Sequence, residues 1–178
     1  MSSPILDVAR DELHKIKKLG DKAIAQLSDD DLNLKIDEES NSVAVIMRHM
    51  AGNMRSRWTD FLTSDGEKPD RFRDREFEER PQSRAELLAE WEDGWRRLFE
   101  AIDPLTDADL ERTVLIRSEP HSVYKAISRQ VAHYAGHVYQ ILFLGKHLKG
   151  AAWTTLSVPR GQSEEFNRKM MARLKSGQ

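Results

Sequence analysis

His133 and His137 stand four residues apart in the string His-Tyr-Ala-Gly-His. On a helix that spacing places both rings on one face, one turn apart. Two imidazoles so placed can share one cation, at about 2.0–2.1 Å for zinc. In a chain with six histidines such a pair is a weak signal by itself. Its position sharpens it. Gln130, His133, His137, Ile141, Leu144 and Leu148 fall on one helical stripe, so both histidines lie on the core-building side and not on a charged face. Two imidazoles in a core need partners for four ring nitrogens, and a shared metal satisfies one nitrogen on each ring. His49, with Ile46 and Met50 on one side and Asn53 on the other, offers a third ligand. A lone histidine on such a face is more often a satisfied core residue, so this role requires its helix to pack beside the one that carries the pair. Bundles build metal sites in that way. Three imidazoles leave at least one coordination position open, as in reactive rather than closed structural sites. A cation held so acidifies a water or thiol in the open position.

Other residues admit two readings each. Asn53, one turn after His49, could hydrogen-bond substrate or serve as a buried amide. Arg57 and Arg160 could take an anionic substrate group with a guanidinium fork, against the alternative of surface ion pairs. Tyr134 adjoins the histidine stripe and could donate near the site, whereas Tyr139 is turned away from it. Glu119, before Pro120, is a candidate base or fourth ligand on proximity alone. His14, His121 and His147 fit neither stripe and read as surface or cap residues. Trp58, Trp91 and Trp95 fit helix faces as core. No nucleophile sits in a recognisable elbow, which sets serine acyl transfer aside and leaves the general base unassigned.

The elements that must position these residues are helical. Apolar residues at three- and four-residue spacing predict a first helix from about Ile5 to Leu27 and a second from Asn41 or Ser42 to about Leu62. A third follows Pro81, with Ser83 and Glu86 as a capping box, and ends near Asp103-Pro104. A fourth runs from about Ser122 to Lys149 and stops at Gly150. A short amphipathic helix near Ser163 to Leu174 closes the chain, and no strand-period segment of useful length is visible. The segment from Ser64 to Arg80, dense in alternating charge, reads first as a solvated crossover loop. The second reading is an ordered loop over one end of the bundle, anchored by Phe72 and Phe77. The expected fold is all-α: a four-helix bundle with a short extra C-terminal helix, one domain over residues 1–178.

Composition narrows the function classes. Lys and Arg total 28 against 30 Asp and Glu, a formal net charge of −2, which argues against duplex nucleic acid as a partner. There is no cysteine, hence no disulfide, thiolate metal site or cysteine nucleophile. The N-terminal residues carry no basic stretch followed by an apolar one, and no apolar run approaches about 18 residues. The expectation is a cytoplasmic protein without a membrane span.

His49 in Val-Ile-Met-Arg-His-Met-Ala-Gly-Asn, with His133 and His137 in His-Tyr-Ala-Gly-His, resembles the DinB-like superfamily of metal-binding four-helix bundles, also described as bacillithiol-transferase-like or metal-dependent hydrolase-like. The resemblance covers nearly the whole chain. A narrower likeness, to an uncharacterised bacterial subgroup, is carried by Ser56-Arg57-Trp58-Thr59-Asp60-Phe61-Leu62, Asp65-Gly66-Glu67-Lys68, Arg73-Asp74-Arg75-Glu76-Phe77 and Pro159-Arg160-Gly161-Gln162-Ser163 with Phe166-Asn167. The resemblance implies a three-histidine ligand set at His49, His133 and His137 and a homodimer packed through bundle helices. It further implies a metal that activates a low-molecular-weight thiol against a small electrophile, or water. Imidazole ligands suit zinc, nickel, copper or iron, with zinc or nickel the first expectation. Three functions follow: a metal-dependent thiol S-transferase or hydrolase, a non-catalytic metal-binding or interaction bundle, and a small-molecule binder or sensor.

Overall fold

The computed structural model describes residues 4–80 and 82–176. Residues 1–3, and the Pro81 expected to precede the third long helix, lie outside them. Six helices form: α1 (Pro4–Ile24), α2 (Asp29–Asn33), α3 (Val43–Trp58), α4 (Arg84–Ile102), α5 (Val123–Lys149) and α6 (Ser163–Ser176). The four long ones before α6 make the all-α bundle. α1 packs on α5 and α4, and α3 packs on α4 and α5.

The caps explain where these helices start. Ser42 accepts from the Val45 N–H to open α3, Ser122 accepts from the Lys125 N–H to open α5, and Ser83 with Glu86 forms the capping box of α4. Gly150, at φ 51°, ends α5. α3 stops a few residues before its apolar periodicity does, because the chain turns at Thr59 and at Asp60, φ 49°, and α1 ends at Ile24, just short of the expected Leu27. The short α2, opened by a Ser28–Asp31 capping box, went unseen as an element because five residues carry no readable period. Two arginines clamp the α1–α4 pair. Arg10 of α1 donates to the carbonyls of Ile102, Asp103 and Leu105 at the end of α4 (3.0, 2.8 and 2.9 Å). Arg84 of α4 donates to Leu27 and Ile24 at the end of α1 (2.8 and 3.0 Å). Each guanidinium satisfies orphan carbonyls at the negative end of the other helix.

α3 lies at the centre. Nearly all of its residues are buried, the polar Arg48, His49, Asn53, Ser56 and Arg57 included. With α4 and α5 on its flanks and the 73–76 turn against it, α3 exposes little beyond Arg55, so its sequence shows little amphipathic contrast.

Between α4 and α5 the expectation of no strand is corrected. β1 (Thr113–Ile116) and β2 (Glu119–Ser122) form an antiparallel hairpin, Thr113 opposite Ser122 and Ile116 opposite Glu119. Strands of four residues give too short an alternation to register, and the two-residue turn is Arg117-Ser118 rather than the Asn-Gly that signals such turns. Both turn residues are left-handed, φ 56° and 63°, a conformation that disfavours side chains. Asp65 offsets that strain: its carboxylate accepts from the Arg117 and Ser118 N–H groups at 2.8 and 2.6 Å. His121 is corrected with the hairpin. It is 6% exposed, faces inward on β2 opposite Val114, and is not a surface residue.

The 64–80 segment is ordered, as in the second of its two readings. The Ser56 hydroxyl donates to the Gly66 carbonyl at 2.9 Å and accepts from the Lys68 N–H at 3.0 Å. The Gly66 N–H reaches Leu115 of the hairpin at 2.8 Å, and Arg48 holds the Glu78 carbonyl at 2.7 Å. Of the two proposed anchors only Phe77 serves: it packs on His49, while Phe72 is exposed beneath the Arg75 guanidinium. Among the described residues no helix is long and apolar enough to cross a membrane.

Ser118→Gly removes a Cβ from a left-handed position, so it is expected to raise the unfolding free energy by about 1 kcal/mol. The check is a higher urea midpoint at unchanged slope; a lower midpoint would show that the serine side chain itself supports the turn.

Candidate metal centre

The contact of α3 with α5 brings the three histidines together. The ring centroids of His49 and His133 are 5.5 Å apart, those of His49 and His137 4.9 Å, and those of His133 and His137 4.6 Å. One ligand atom from each lies within 4.8 Å of the other two, with the rings set edge to face.

The ring nitrogens decide which atoms face the common point. His49 Nδ1 is 2.8 Å from Glu76 Oε2, and His137 Nδ1 is 2.8 Å from Gln140 Oε1. Both oxygens accept, so each Nδ1 carries a proton and Nε2 is the atom left to face an ion. The third ring completes the set: His133 Nε2 is buried and has no hydrogen-bond partner among the described residues. An orphaned buried nitrogen beside two imidazoles whose Nδ1 atoms are tied to oxygens fits a divalent ion, and the carboxylate–histidine pairing is the usual support of such a ligand.

Glu76 is the residue that the sequence reading did not single out. It comes from the turn at Arg73–Glu76 and is gripped by Arg71, with Nε to Oε1 at 2.8 Å and Nη2 to Oε2 at 2.9 Å. Burial opposes its charge, but the hydrogen bonds from His49 and Arg71 outweigh that and hold its carboxyl below the usual range. Gly52 makes the approach feasible: a Cβ there would overlap Glu76 Oε1. A glycine in mid-helix costs about 1 kcal/mol against alanine, and Gly52, three residues after His49, was the available sequence signal that something approaches this face.

The centre is open on one side. His49 is 5% exposed and covered by Phe77 at 4.8 Å, while His133 and His137 are partly exposed beside the exposed Gly136 and Gln140. Burial first, and then the charges of His137, His49, Arg129 and Arg57, push His133 down to about 3; burial also lowers His137. The His133 ring stays neutral, and free to bind, in mildly acidic solution, and His137 is shifted in the same direction.

The other singled-out residues fall in different places. Asn53 Oδ1 accepts from the Tyr134 hydroxyl at 2.9 Å, which in turn accepts from Trp58 Nε1 at 2.9 Å, all of it buried. Both polar side chains are thereby engaged inside the core behind the histidines, and burial pushes the Tyr134 phenol up. Arg57 is buried next to this network. Arg160 is exposed on the segment before α6 and makes no hydrogen bond among the described residues. Glu119 is 72% exposed, 3.6 Å from His121, and no member of the three-histidine group.

Two outcomes are expected. Glu76→Gln keeps an acceptor but loses the charge, and Gly52→Ala displaces the carboxylate; each should weaken zinc binding by about 10–100-fold in a chelator competition. Unchanged affinity in both would mean that Glu76 does not support the site. In chelator-treated protein, folded His133 stays neutral down to about 3 while an unfolded histidine protonates near 6.5. Stability is therefore complete above pH 6.5 and falls as pH drops towards 3, by at most about 1.4 kcal/mol per pH unit because the ring is partly exposed. Thermal melts at stepped pH measure this, and His133→Gln should flatten the profile.

No curated protein matches the chain. The family model described as "Protein of unknown function (DUF1572)" matches residues 1–162, a span that holds the three histidines, the 64–80 loop and the hairpin. The chain belongs to that family.

Proposed function

We propose that this protein is a metal-dependent enzyme of the DinB-like type, in which His49, His133 and His137 hold a divalent transition ion, zinc or nickel, for thiol S-transfer or hydrolysis. The observation that carries the reading is the nitrogen inventory: two Nδ1 atoms tied to oxygens, one ligand atom from each of three rings within 4.8 Å of the others, and an orphaned His133 Nε2. A three-imidazole ion with an open position supplies a Lewis acid that lowers the pKa of a thiol or water. The protein's own groups do the rest. Glu76 and Arg71 fix the His49 tautomer and ring plane, and Phe77 keeps water from that ring. The partly exposed edge between His133 and His137 is where the thiol and its electrophile enter and where the released proton leaves to solvent. This access favours catalysis over a purely structural ion, which has no need of an open side.

The test is metal content by elemental mass spectrometry on natively purified protein, without nickel-affinity steps. Wild type is expected to carry near-stoichiometric metal, lost in His49→Ala and in the His133→Ala/His137→Ala double variant. The loaded protein should then consume thiol in the presence of haloalkane or epoxide electrophiles faster than either variant. Folded wild type that carries no metal and cannot be reloaded would overturn the reading.

A further inference from the structure

Arg57 continues the α3 stripe that begins with His49 and Asn53, about two turns or roughly 12 Å further on. Helical side chains lean towards the N-terminus, so Arg57 is directed back along α3 towards the end that carries Asn53 and His49. The residue is 4% exposed. Nε and Nη1 touch neither solvent nor an acceptor, and Nη2 makes no hydrogen bond among the described residues.

A guanidinium buried in this way is costly unless something pairs with it, and the acids around it are committed elsewhere. Asp65 holds the hairpin turn. Glu67 takes Arg71 at 3.2 Å and Arg117 at 3.4 Å. Glu76 is held by Arg71 and His49. Arg71 and Arg129 add further positive charge around Arg57. The guanidinium is also seated on purpose-built ground: Gly66 leaves room for it, since a Cβ there would stand 2.6 Å from Nη1 and 2.9 Å from Cδ.

We propose that Arg57 is a carboxylate subsite of the neighbouring centre, taking as a bidentate partner a carboxylate of the small molecule whose reacting end lies at the open edge of the three histidines. One fork matches the two coplanar oxygens of a carboxylate, whereas a phosphate would bring a third oxygen for which the same fork has no donor. The proposal rests on the reading of the histidines as a metal-dependent active site, and binding to metal-free protein keeps the two separable.

The experiment is calorimetric titration of propionate and propionamide, and of 3-mercaptopropionate and its amide, into metal-free and zinc-loaded protein. Wild type is expected to prefer each acid over its amide by about ten- to hundredfold, the range of a charged hydrogen bond, with or without zinc. Arg57→Met should bring the ratio to near one. Gly66→Ala, which keeps the charge but crowds its seat, should reduce it. Arg57→Met is also expected to melt no lower than wild type, because it removes a buried unpaired charge, so lost binding would not reflect lost folding. A gain for 3-mercaptopropionate over propionate that requires zinc places the carboxylate on the thiol. Equal binding of propionate with and without the neutral thiol places it on the electrophile, and both support the subsite. No acid preference in wild type, a preference unchanged in Arg57→Met, or Arg57-dependent binding of inorganic phosphate in place of propionate would overturn it. Failure of zinc to bind, with the acid preference intact, would overturn only the metal reading.

Discussion

The carboxylate of Glu76, shared between Arg71 and His49, joins the loop to the bundle and the bundle to its histidine cluster. A charged group this deep is unfavourable unless every oxygen is met, and here both are: Arg71 reaches each and His49 takes one. Remove the guanidinium and the carboxylate loses its reason to be ionised. Remove the carboxylate and His49 loses the acceptor that fixes its tautomer. The 73–76 turn, the missing side chain at Gly52 and the ring of Phe77 are consequences of seating that one group against α3.

α3 converts this local bond into a platform. Because it is enclosed by α4, α5 and the loop, its buried polar residues have no solvent to fall back on and must find partners inside. Arg48 finds the Glu78 carbonyl, Ser56 the Gly66 carbonyl, and Asn53 the Tyr134 hydroxyl. Arg57 alone of this series has none among the described residues, and it sits on the same stripe as His49.

The long helices and their caps were legible because period and capping are local: Ser83 and Glu86 or Ser122 and Gly150 can be read within one turn of chain. The three histidines were legible for the same reason on α5, and through resemblance on α3. What escaped is tertiary. Glu76 lies in a charged segment whose letters look like solvated loop, and only folding reveals that it turns inward together with Arg71 and Phe77. The hairpin escaped because Asp65, far away in sequence, does the work that Asn-Gly does in an ordinary turn. His121 escaped with it, since its burial depends on a strand that has no readable period.

The separation between local and distant ligands also sets an order of assembly. His133 and His137 come into register as soon as one turn of α5 forms, an event of microseconds or less. His49 and its carboxylate arrive only when α3, the loop and the hairpin have closed over long stretches of chain, which is slower because loop entropy must be overcome first. An ion held as proposed would thus meet the two nitrogens of α5 before the one on α3.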